Sequence, residues 1–161
     1  MGEDFNYAAY IKRAETHLNE ALCIIQKLPV TDTIKITEGI IQTNLGACYL
    51  EIYGRITKDL NSVRKAREHH LNGLKIKESI LRETELPELD QYKSIGASYN
   101  AIATDCFKLA NYEESLIYHR EAIKNREQGN DKNIRKIESY IRCIGTLMKL
   151  LWKNGEKTKE Y

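Results

Sequence analysis

"SYNAIATDCFKLANYEESLIYHREAI", residues 98–123, sets small residues at Ala103, Ala110, Ser115 and Ala122 and rings at Tyr99, Tyr112 and His119. Apolar positions recur with a helical period on both sides of Asn111, which marks a short turn. The stretch therefore reads as two antiparallel helices. Such helices approach closely only where small side chains face each other. Ala103 on the first helix, with Ser115 and Ala122 on the second, supplies that seam. Tyr99, Cys106, Tyr112 and His119 fill the spaces beside it.

The same period extends outward in both directions. A first helix is predicted over residues 4–28, with Ala14, Leu18, Ala21, Ile25 and Leu28 on one face and Pro29 as its stop. "TDT" at 31–33 offers N-caps for a second helix carrying Ile34, Ile41, Leu45, Tyr49 and Ile52. A third carries Leu60, Val63, His70, Leu74 and Leu81, closed by Pro87. A fourth carries Leu89, Tyr92, Ile95, Tyr99, Ile102 and Cys106. The fifth ends where "QGND" at 128–131 breaks the pattern. The sixth carries Ile134, Ile137, Ile141, Ile144, Leu147, Met148 and Leu151, and "NGEK" at 154–157 is a turn before a seventh helix that begins but does not finish. The expected fold class is all-α, with short connections that favour antiparallel neighbours.

Tyr99, Ile102-Ala103, Cys106, Ala110, Tyr112, Ser115, His119 and Ala122 follow one another at the spacing of the tetratricopeptide repeat, and the segment resembles that family. "NLGACY" at 44–49, continued by Ala66, His70 and Gly73 after an insertion near 54–62, resembles an earlier repeat. "IGTLMKLLWKNG" at 144–155 resembles a later first helix, and Ala14, Leu18 and Ala21 the second helix of a partial one. The intervals are stretched, and the long second helices look like the extended repeats of the kinesin light chain type. The resemblance implies a single right-handed α-solenoid: a partial repeat at 4–28, repeats at 32–84 and 88–128, and an incomplete one at 131–161. It also places His70 and His119 at a position usually held by a large aromatic, so both are expected to pack.

The 161 residues suit one domain, and 42% hydrophobic with 30% charged residues is an ordinary globular balance. Two prolines and nine glycines fit helices better than a β-sandwich, which needs many more turns. A formal net charge of +2 gives no bulk pull toward nucleic acid, although Lys149, Lys153, Lys157 and Lys159 gather at one end. Cys23, Cys48, Cys106 and Cys143 form no CxxC pair or zinc spacing and read as reduced core residues of a cytoplasmic protein. No apolar run reaches membrane length, and Asn6 breaks the Gly2 myristoylation pattern. There is no phosphate loop, GxSxG or HExxH. The ten tyrosines lie mostly at core spacing. Neither an enzyme nor a cofactor or metal is expected.

Stacked helix pairs of this kind make a concave surface lined by the first helix of each pair. On the resemblance, Thr43, Asn44, Ala47 and Glu51 face that groove in one pair, Asn100, Thr104 and Lys108 in the next, and Arg142, Lys149 and Lys153 in the last. Asn44 is placed to hold a peptide backbone through its amide, and Arg142 and Lys149 to grip a carboxylate. The chaperone-tail version of the fold uses a Lys/Asn/Arg clamp. Thr43 and Ala47 replace its first Lys and Asn, which argues against that ligand. The expected function is a non-catalytic adaptor or scaffold for a peptide or protein segment, with no nucleic acid and no membrane partner. A peptide-responsive regulatory module and a scaffold that self-associates through the C-terminal end, where Leu151 and Trp152 lie, are the alternatives.

Overall fold

The computed structural model describes residues 6–83, 89–131 and 133–157, and it is all-helical there. The order is α1 (Tyr7–Ile25), α2 (Asp32–Ile52), a π-helical turn (Tyr53–Thr57), α3 (Leu60–Glu83), α4 (Leu89–Lys108), α5 (Tyr112–Gln128) and α6 (Asn133–Lys157). The chain divides into two compact units, one ending at Ile80 and the other beginning at Leu81. No described helix is long and apolar enough to cross a membrane.

In the first unit, Asn6 caps α1 by accepting from the Ala9 N–H at 3.2 Å. Thr31, the first residue of the expected cap, accepts from the Ile34 N–H at 3.2 Å and starts α2. Ile25, Ile41 and Leu45 form the core between these helices, with Leu18, Ala21, Leu22 and Ile34 packed around them. The predicted stripe stops short: Leu28 lies beyond the end of α1 and is 45% exposed. α2 and α3 then come almost into backbone contact. A Cβ added to Gly46 would sit 2.4–2.8 Å from the His70 ring, and one added to Gly73 would meet Thr43 Oγ1 at 2.8 Å and the Gly39 carbonyl at 3.1 Å. The apparent insertion near 54–62 is taken up by the π turn, which ends with Lys58 in the left-handed region (φ 54°) donating its N–H to the Tyr53 carbonyl at 3.0 Å. The expected end of α3 at Pro87 lies outside the described residues.

The second unit repeats the device. Ala103 and Ala122 are fully buried, and the Ser115 hydroxyl donates to the Ala103 carbonyl at 2.7 Å, so the seam read from the sequence is the α4–α5 contact. A Cβ on Gly96 would meet the Ala122 carbonyl at 3.1 Å. Between the helices Ala110 takes φ 59°, and the Asn111 N–H closes the end of α4 on the Cys106 carbonyl at 2.9 Å. A Cβ is strained in that region, where glycine is not. Replacing exposed Ala110 by glycine is expected to stabilise the fold by about 1 kcal/mol, read as a higher urea midpoint at unchanged slope. α5 ends as "QGND" predicts, with Asn130 at φ 48° and the Asp131 N–H on the Arg126 carbonyl at 2.9 Å.

α6 departs from expectation in two ways. "NGEK" is not a turn, because α6 runs through it to Lys157. A turn at Asn-Gly draws on left-handed backbone, and no described glycine adopts a positive φ. The expected seventh helix falls outside the described residues. The second departure is the packed face. Ser139 and Thr146 are fully buried, whereas Ile137, Ile141, Ile144, Met148 and Leu151 are 55–71% exposed. The short hydroxyl side chains let α6 lie close to its neighbours, and their polar atoms are satisfied: Ser139 donates to the Arg135 carbonyl at 3.1 Å and Thr146 to the Arg142 carbonyl at 3.0 Å. The cysteines are also less uniform than expected. All are free thiols, but Cys106 is buried, Cys48 and Cys143 are half-buried, and Cys23 is exposed.

Candidate interaction site

Three of the predicted groove residues meet in the second unit. Asn100 and Thr104 are one helical turn apart on α4, so both point toward α6. The Asn100 amide is engaged at both ends: its NH2 donates to Ser139 Oγ at 3.1 Å, and its oxygen accepts from His119 Nδ1 at 3.0 Å. It ties α4 to α5 and α6. Thr104 donates to the Asn100 carbonyl at 2.9 Å and accepts from the Arg142 guanidinium at 3.3 Å. Thr104, Phe107, His119, Arg142, Gly145 and Thr146 enclose a cleft of about 230 Å³. Arg142 is exposed at its rim. Burial first, then the neighbouring Arg142 cation, pushes the His119 ring down to about 4. At neutral pH that ring is uncharged, donates from Nδ1 to Asn100 and keeps Nε2 as an acceptor. The cleft therefore offers one permanent cation, one apolar ring and one neutral acceptor.

Lys108 and Lys149 are exposed on α4 and α6 and do not line this cleft. The Lys153 ammonium lies 5.9 Å from the centre of the Tyr112 ring, a cation–π contact from α6 to α5.

In the first unit Asn44 is exposed on α2, and Thr43 is half-buried, donating to the Gly39 carbonyl at 2.8 Å beside Gly73. Ala47 and Glu51 lie one helical turn apart and, with Cys48, face Tyr7, Tyr10, Ile11 and Ala14 of α1 across a wider, mostly apolar cleft of about 460 Å³. On another side of α2, His69 stacks on Tyr49 with ring centres 5.4 Å apart and lies 2.8 Å from the Gln42 side-chain oxygen, while Lys65 covers the same tyrosine at 5.3 Å. Burial and the hydrogen bond to Glu15 push the Tyr49 hydroxyl up to about 12, and burial pushes His69 down. These groups hold α2 to α3.

Phe107, Gly145 and Thr146 belong to no motif in the sequence that marks them as site residues. Phe107 stands three residues after Thr104 and Thr146 four after Arg142, so helical spacing alone puts each beside a residue already singled out. Among the described residues no group of three or more His, Cys, Asp or Glu side chains is placed to hold a metal ion. No family model, curated protein or solved structure matches the chain.

Proposed function

We propose that the protein is a non-catalytic interaction module, similar in design to tetratricopeptide repeats, that binds a peptide or protein segment through an acidic side chain. The observation that carries this reading is the Arg142 cleft. Its volume of about 230 Å³ is below the range of roughly 300–1,000 Å³ usual for small-molecule sites. It suits one inserted side chain. Arg142 recognises a carboxylate as a charged fork, and Phe107 receives the apolar stem that carries it. The repeat design is supported by two helix pairs that close to backbone distance over a glycine: a Cβ would meet the facing carbonyl at 3.1 Å both at Gly73 (from Gly39) and at Gly96 (from Ala122).

The test is a peptide array probed with the full chain, followed by calorimetry on the best binder. Selected peptides should centre on Asp or Glu next to an apolar residue. Arg142→Glu should weaken the best one by about 10- to 100-fold, the worth of one charge-assisted hydrogen bond. Equal binding by Arg142→Glu, or a selection indifferent to acidic residues, would overturn the assignment. A second reading, the self-associating scaffold, is favoured by a different observation, the uncovered face of α6.

A further inference from the structure

Along α6 the exposed Ile137, Ile141, Ile144, Met148 and Leu151 are spaced 4-3-4-3. That is the a/d pattern of a helix that pairs with another helix. The buried Ser139 and Thr146 are seven residues apart and belong to the opposite side of the same heptads. α6 thus carries two seams of one period: a polar one satisfied within the unit and an apolar one facing outward. We propose that the outward seam is a dimerisation surface, occupied by the same seam of a second copy of this chain.

Area, periodicity and charge favour that occupant. With the flanking Leu147 and Trp152, the stripe exposes on the order of 800 Å², the share each partner contributes to a standard stable interface. The period of 3.5 residues fits a helix rather than an extended peptide or a flat surface. The described flanking positions are Glu138, Tyr140, Gly145, Leu147, Trp152 and Asn154. With Glu138 the one charge in that set, two identical stripes meet without opposed rows of like charge, the usual bar to self-pairing. The basic residues Arg135, Arg142 and Lys149 lie seven apart to one side of the seam and stay in water.

The proposal rests on the outward seam and not on the Arg142 cleft, and two variants separate them. Sedimentation equilibrium of the full chain should show a monomer–dimer equilibrium. Ile141→Glu/Met148→Glu should raise the dimer dissociation constant by at least about 100-fold, because two carboxylates would be buried on each copy. Both positions are exposed in the single chain, so circular dichroism should match the wild type, and the melting profiles should coincide at concentrations low enough for the wild type to be monomeric. Arg142→Glu, which tests the cleft, should dimerise as the wild type does. A wild type that stays monomeric at its highest soluble concentration would overturn the proposal. So would a dimer that survives the double substitution, or an open series of higher masses in place of a dimer.

Discussion

Gly46→Val is expected to destabilise the first unit by about 3 kcal/mol, at the upper end of overpacking effects. The nearest atoms to an added Cβ are three atoms of the His70 ring at 2.4–2.8 Å, closer than a real Cβ approaches anything. His70 is itself 3% exposed, so the ring has no solvent to swing into. Removing a glycine from a helix ordinarily gains up to about 1 kcal/mol in backbone entropy, which the clash outweighs. Urea unfolding followed by circular dichroism gives the loss. The mechanism is isolated by a double-mutant cycle: Gly46→Val should cost markedly less in a His70→Ala background. Additive losses would mean that the strain lies elsewhere than in the ring.

His119 is expected to make stability fall with pH. In the unfolded chain it titrates near 6.5, and in the folded chain only at about 4. Above 6.5 the ring is neutral in both states and there is no penalty. Between 6.5 and 4 the unfolded chain takes up a proton that the folded chain refuses, so stability drops as pH falls through that window. The full loss is about 2 to 3 kcal/mol for a ring that is 2% exposed. His119→Phe keeps the ring and abolishes the titration. Its cost from the lost Asn100 bond should be the same at every pH. The difference between wild type and variant, measured at pH 7.5, 5.5 and 4.5 (values roughly spanning the window), should therefore shrink as the wild type weakens. Parallel pH profiles would refute the assignment.

The helix order was legible because its punctuation was local. Thr31 and "QGND" act through their own backbone and need no partner from elsewhere. The α4–α5 seam was legible because Ala103, Ser115 and Ala122 belong to adjacent helices with a short turn between them. The face of α6 was not. A stripe of isoleucines announces that one side of a helix is apolar, and nothing in the pattern says whether this chain covers it. Ser139 and Thr146, which the unit does bury, look on paper like solvated positions. The site was legible in part. Thr104 and Arg142 were predicted and meet at 3.3 Å, whereas Asn100, expected to face a ligand, spends its amide on Ser139 and His119. Helical spacing gave the side of α4 on which it lies, and only the approach of α5 and α6 decided what that amide bonds to.

The polar seam under α6 has a thermodynamic consequence. The helix is held to the second unit around Ser139, Thr146 and the Asn100 amide, with much of its apolar surface already in water. Its release uncovers less hydrocarbon than that of a helix held by its apolar face, so it carries a smaller heat capacity and a weaker response to denaturant. The hydrophobic seams between the other helices weaken on cooling, and this one shares that dependence to a smaller degree. Within the second unit α6 is thus the helix whose attachment draws most on polar contacts, the Asn100 amide on Ser139 and Arg142 on Thr104, and least on its own apolar face.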